Sequence, residues 1–547
     1  MRNIVVSFIV CSTMLVGVAF MSAVSTAQTQ GAAPPAQAGS MFQPSTQCMT
    51  CHNGVITPNG EDVSFGTLWR ASMMAHSARD PYWHAGVRRE VMDHPRAQAA
   101  IENECSRCHM PMAHVQQQAL KRQQTVFPNL PAAGAGADPL AVEGVSCALC
   151  HQIRSDALGS KSSFTGGFVI DTGTPLEKRE VFGPYEVDPG RTAVMRSATG
   201  LLPTQATHIQ QAEVCATCHT LYTHALNAAG EATSEFPEQM PYQEWLHSEF
   251  RATQSCQACH MPVVAPATPI TSVLGEPREG LSRHDFRGAN FLMLGVLNRF
   301  RAELGVVARP AEMDSAIART KSFLQSSSAT IVMERAEIAR GRLEVDVAVR
   351  NRSGHKLPTA YPSRRAWLHV TVHDRQGRLV FSSGAVEPTG AIVGNDNDQD
   401  GTRFEPHYRE IQSADQVQIY ETIMGTQNRA VTTGLLSAVS YLKDNRMLPR
   451  GFDKRTAPGD VAVHGEAFAD PDFGAGEDRV RYLIDVADAP SPFVIEATLW
   501  YQSIGYRWAE NLRGYRAAEP QRFVSYYDQM ASESAIMLAR ATRTLQP

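Results

Sequence analysis

The sequence is short of several things. Aromatic residues fill only 7% of its 547 positions, basic residues do not outnumber acidic ones (50 against 55), and the formal net charge is -5. That balance excludes the basic face a nucleic-acid partner requires. Beyond about residue 20 no apolar run is long enough to cross a bilayer, which excludes a transmembrane segment in the mature chain. Cysteine is also missing from most of the chain. Of 11 cysteines, Cys11 lies in the N-terminal apolar stretch and the other ten sit in five short segments, so none is left over for a structural disulfide framework.

The N-terminus has a basic start at Arg2, an apolar run from Ile4 to about Phe20 and small residues at Ser25-Thr26-Ala27. This is the pattern of a secretory signal peptide over residues 1–27, cut after Ala27, and it implies a periplasmic, secreted or outer-surface protein. Cys11 follows Phe8-Ile9-Val10, which is not a lipoprotein cleavage site, and it leaves with the leader. Residues 28–40 are Ala, Gln, Pro and Gly without periodicity and read as a flexible linker.

What remains is organised around one repeated unit. Cys-x-x-Cys-His occurs at Cys48–His52, Cys105–His109, Cys147–His151, Cys215–His219 and Cys256–His260. Two thiols one helical turn apart, followed at once by an imidazole, can form two thioethers to a haem and place the histidine beneath its iron. The competing readings are zinc and disulfides. Zinc needs such pairs combined two by two, and five units do not combine that way. The cofactor expected is therefore five covalent haems c. Cys48, Cys51, Cys105, Cys108, Cys147, Cys150, Cys215, Cys218, Cys256 and Cys259 attach them, and His52, His109, His151, His219 and His260 are the proximal iron ligands.

The fold class expected is α+β. Residues 41–290 form a mostly helical and irregular pentahaem domain, and residues 291–327 form connecting helices. Asp80-Pro81 is a helix start, with Asp as cap and Pro at the first turn, and places His84, Val87 and Val91 on one stripe. Residues 343–350, 368–372, 480–486 and 494–501 alternate or run apolar, so residues 328–512 read as an immunoglobulin-like β-sandwich. Residues 513–547 read as a C-terminal segment closed by a helix over about 521–545.

The second axial ligand of each iron decides between electron transfer and catalysis. The chain holds 18 histidines, of which five are proximal, leaving thirteen for five positions. His114 is one turn beyond His109 and cannot reach the far face of its own haem, but it could reach a neighbour. His208 stands in the same relation to Cys215. His76 lies between the first two motifs and His284 follows the last. His355 sits in Gly354-His355-Lys356-Leu357-Pro358, a loop leaving the strongest strand, where it can project onto a haem. His84, His94, His224 and His247 are held in reserve. Met110 and Met261 directly follow proximal histidines and cannot bind the opposite face, so they pack at a haem edge. Asp396-Asn397-Asp398-Gln399-Asp400-Gly401 matches the opening of a calcium loop, but His407 stands where the bidentate Glu belongs. A solvated acidic loop is the preferred reading there.

Five Cys-x-x-Cys-His units, the run Cys105-Ser106-Arg107-Cys108-His109-Met110-Pro111-Met112-Ala113-His114 and the 354–358 loop together resemble the bacterial multihaem cytochromes of the cytochrome c-552/c-554 type. The resemblance covers about residues 41–285 and, more loosely, the β-domain. It implies a single-electron relay between redox partner proteins, with self-association through haem edges as a further possibility. The alternatives are an enzyme acting on a small nitrogen or sulfur oxyanion at one open-site haem, and a subunit of a conducting filament. All five motifs end in His, unlike the lysine-ligated catalytic haem of pentahaem nitrite reductases, which argues against that enzyme.

Overall fold

The computed structural model describes residues 40–546; the expected leader and nearly all of the expected linker lie outside them. The helix start at Asp80 forms as the sequence dictates. The Asp80 carboxylate accepts from the amides of Tyr82 and Trp83, Pro81 occupies the first turn, and the helix Pro81–Asp93 buries His84, Val87 and Val91. Four of the motif helices are short, Ser45–Met49, Cys147–Cys150, Ala212–Ala216 and Cys256–His260, and the second motif ends a longer one, Gln98–His109. Between them the chain is largely turns, with one further short helix at Phe65–Trp69.

The helices Phe291–Arg299 and Pro310–Ser327 lead into the strands β1 (Ala329–Ala339), β2 (Arg342–Asn351), β3 (Arg365–His373), β4 (Leu379–Ser383), β5 (Glu410–Ile411), β6 (Ile419–Tyr420), β7 (Glu477–Asp485), β8 (Phe493–Gln502) and β9 (Ala535–Leu545). One sheet runs β5–β7–β2–β1 and the other β4–β3–β8–β9, with β6 also paired to β3. Val345, Val347 and Val349 of β2 and Leu368, Val370 and Val372 of β3 are all fully buried in one core between the sheets. Each such side chain contributes about 2 kcal/mol by leaving water. The same core continues through Phe291, Leu292 and Leu294 into the motif region at Ala212, Ala216, Tyr222 and Tyr242.

One expectation is corrected at the C-terminus. The helix covers Ala518–Met530 and then stops; Ala535–Leu545 is β9, antiparallel to β8 from Phe493↔Leu545 to Gln502↔Ala535. Ile536 and Leu538 are buried, so the second half of the supposed helix has a strand's period-two pattern. The calcium reading is also dropped. Arg365 grips Asp398 through both carboxylate oxygens at 2.8 and 2.9 Å, Arg403 pairs with Asp396, and Asp400 accepts from Thr402. The loop's carboxylates are already spent.

Candidate metal centres

None of the ten motif cysteines is in a disulfide. Thiols of different motifs lie near one another: Cys48 near Cys147, Cys108 near Cys218, and Cys215 near Cys256. Cys150 also lies close to Cys218. The fourth motif therefore adjoins the second, third and fifth, while the first adjoins the third. The arrangement is branched, not a row in sequence order.

Four of the five motif histidines are aimed in one way. His52 donates from Nδ1 to the Ile270 carbonyl at 2.8 Å, His109 to Ser77 at 2.8 Å, His151 to Phe182 at 2.6 Å, and His260 to Arg287. A ring so bonded has its lone pair on Nε2, the arrangement of a metal ligand with its outer partner in place. Burial pushes the pKa of His109 down to about 4 and lowers those of His52, His151 and His260, so all four are neutral and able to ligate at pH 7. His219 makes no such bond among the described residues. It is exposed by surface area, yet the depth at which it sits pushes its pKa down to about 4.

Two of the expected second ligands face a motif histidine. His284 lies parallel to His151, ring centres 6.3 Å apart with 13° between planes, and His355 lies parallel to His260 at 6.2 Å and 17°. Two imidazoles sharing one metal need about 2 Å of bond on each side plus about 1 Å from each nitrogen to its ring centre, or about 6 Å in all. Stacked rings in direct contact would be much closer. His284 and His355 each donate Nδ1–H to a carbonyl, of Ser282 at 3.0 Å and Lys356 at 2.9 Å, and burial brings both pKa values to about 4.

Among the described residues no such pair forms at His52, His109 or His219. His76 is 1% exposed with neither ring nitrogen bonded, and its pKa is pushed down to about 3 by burial. An imidazole so placed is costly unless something ligates it. His114 bonds Ser106 Oγ through Nδ1 at 2.9 Å, leaving Nε2 free. His208 instead spends Nε2 on the Ile153 carbonyl at 2.8 Å, leaving Nδ1. The reserve residue His84 uses Nε2 on Ala78 and has an unpartnered buried Nδ1. The thiol pairs, the neutral imidazoles and the orphaned nitrogens of His76 fit haem c.

Three features had no sequence signal that singled them out. The Trp83 ring lies flat on His109, with centres 4.3 Å apart. His407, Asp470 and Asp478 form a buried cluster with metal-like spacing. Gln418 and Asn445 both donate side-chain amide protons to His407 Nδ1, at 2.9 and 3.1 Å, while their own oxygens accept from the Tyr408 and Glu421 amides. The proton of His407 is therefore on Nε2, directed at Asp470 at 3.2 Å. A ligating His shows the reverse pattern, so this is a hydrogen-bond network and not a metal site. A cavity of about 440 Å³ between residues 451–455 and 468–475 has no motif residue in its walls.

The third is Glu238, 2% exposed, with one carboxylate oxygen unpartnered and its pKa raised to about 7, chiefly by burial. Between the ordinary 4.5 and about 7 the unfolded chain has lost this proton and the folded chain keeps it. Its stabilising effect is complete below 4.5 and is lost as pH rises through 7, amounting to about 3 kcal/mol. Glu238→Gln is expected to melt close to the parent at pH 5 and clearly above it at pH 8. Equal melting differences at both pH values would show that Glu238 is ionised throughout.

No protein-family model matches the chain, and no curated protein matches it. One solved structure does: a penta-heme cytochrome c552 from Thermochromatium tepidum, at TM-score 0.51 and 13% identity, over 92% of this chain and 99% of that one. At that identity the likeness is one of fold. No described helix is long and apolar enough to cross a membrane.

Proposed function

We propose that this chain, which has the fold of a pentahaem cytochrome, is an exported c-type cytochrome that relays single electrons between redox partner proteins. The observation that carries the reading is the pair of facing imidazoles, His151/His284 and His260/His355, at the separation one shared metal requires. Haem held this way supplies one-electron chemistry with no position for substrate. In this reading the ten motif thiols attach the groups and His52, His109, His151, His219 and His260 are proximal. His284 and His355 close the third and fifth sites, and His76, His114 and His208 close the rest. The proximity of motif thiols supports a branched relay, in which the third motif links the first to the fourth and the fourth adjoins the second and fifth. Residues 1–27 direct export to the periplasm or cell surface, where thioether attachment takes place.

One observation favours the open-site alternative. Among the described residues His219 has no parallel imidazole and the buried Tyr501 hydroxyl has no partner, while Arg364 lies close enough to act on both groups. Stopped-flow oxidation of the fully reduced protein separates the readings. A relay gives complete reoxidation of five haems by a one-electron acceptor and no sustained consumption of nitrite or hydroxylamine. Continuous turnover of either, drawing electrons from a reductant, would transfer the assignment to the enzyme.

A further inference from the structure

His355 is presented by a loop whose backbone is gripped from both sides. Its carbonyl accepts from Asn351 Nδ2 at 2.8 Å, and its ring donates to the Lys356 carbonyl at 2.9 Å. The next amide, Lys356 N–H, donates at 3.1 Å to Oε2 of Glu244, a fully buried carboxylate on the short helix Pro241–Leu246 between the fourth and fifth motifs. Thr359 Oγ1 donates to the same oxygen at 2.5 Å. Glu244 Oε1 lies 2.9 Å from Arg446, which grips Asp444 with two bonds of 2.9 and 2.8 Å. Asp444 in turn accepts from Lys356 Nζ at 2.7 Å. The ring therefore closes on itself: Glu244, Arg446, Asp444, Lys356 and, through the Lys356 amide, Glu244 again.

All four side chains are buried, Lys356 and Glu244 completely, and the charges alternate and cancel. A closed ring of this kind carries no unpaired charge, but removing one member leaves its partner charged in the interior. Buried ion pairs are weak sources of net stability; their better-attested use is to fix geometry. Here the geometry fixed is that of the peptide on either side of the His355 Cα.

We propose that the ring Glu244–Arg446–Asp444–Lys356 is a positioning device that holds the His355 imidazole opposite His260, so that the coordination of the fifth motif depends on charges that never touch the metal. The proposal rests on the assignment of His355 as an axial ligand. Ligand orientation by outer partners is a general property of metal sites, and losing one such partner costs about tenfold or more in affinity.

The test uses the haem-loaded protein and two readouts, cyanide affinity with the low-spin absorption band, and the midpoint potentials. Glu244→Gln keeps the size of the side chain and removes its charge. Expected are five attached haems, a gain of about tenfold or more in cyanide affinity at one of them, and a shift in that one potential alone. Asp398→Asn breaks a comparable buried pair, with Arg365, that has no member in the 355–359 loop. It is expected to lower the melting temperature and leave cyanide binding at the parent value. If Glu244→Gln fails to fold, Thr359→Val removes only one bond to the same carboxylate and should give a smaller gain of the same sign. Parent-like cyanide binding in Glu244→Gln, or in Thr359→Val where Glu244→Gln does not fold, or an equal gain in Asp398→Asn, overturns the proposal. His355→Ala tells the two failures apart: if it also leaves the spectra unchanged, the ligand assignment is at fault, and if it alone changes them, only the ring is.

Discussion

His355→Ala, matured where haem is attached, is expected to keep all five haems and to convert one of them to a high-spin form that binds carbon monoxide or cyanide. The thioethers and His260 are untouched, so attachment survives. What is lost is the imidazole 6.2 Å from the His260 ring and parallel to it. The affected haem should also rise in potential, because a donor that favours ferric iron has gone. The sheets stay folded, since their core rests on residues such as Val345, Val347 and Val370, and the His355 side chain is not part of that cluster. Exogenous imidazole should restore the low-spin spectrum. Unchanged spectra in His355→Ala would make the histidine structural, and the fifth site would then need another partner, with His84, His224 and His247 to be tried in turn.

The second large effect is expected when the chain is made without residues 1–27 in a compartment that does not attach haem. Residues 41–290 should then remain protease-sensitive and without a cooperative transition, while the sheets resist. The motif region holds little apolar core of its own. One cluster gathers around Val87, Ile101 and Met112, and a smaller one is built on Val55, Val63, Val264 and Leu281. It also buries the imidazoles of His76 and His84 with nitrogens unbonded, each costing about 1–3 kcal/mol if nothing ligates it. A region this thinly packed is near the margin of stability without its cofactor. A compact haem-free form that unfolds cooperatively would show that side chains alone suffice.

The parts of this arrangement set by local chemistry were legible in the sequence. Cys-x-x-Cys-His spacing follows from the distance between two thioether bonds, so it names the attachment residues without a fold. Asp80-Pro81 needs only its own backbone to start a helix, and the alternation over 343–350 needs only one buried face. The second ligands were legible as a list and not as a pairing. Nothing near His284 or His355 in the chain says which motif it faces, because that depends on where loops separated by about a hundred residues come together. The C-terminal strand was missed because Ala539, Arg540, Ala541 and Arg543 suit a helix as well. Its pairing with β8 outweighs that propensity. The 396–401 loop was read as solvated for the same reason: nothing in its own sequence shows that Arg365, distant in the chain, pairs with Asp398 in the interior. The charges that hold His355 were beyond sequence reading altogether, since a lysine beside a histidine gives no sign that it is fully buried.

The most direct test of the central claim, that each iron is closed by a second imidazole, is the electron paramagnetic resonance spectrum of the fully oxidised parent protein. Low-spin ferric signals accounting for all five haems, with no high-spin component, are the expected result. A high-spin signal equal to one haem would contradict it, and would point to the fourth motif, where no ring among the described residues faces His219.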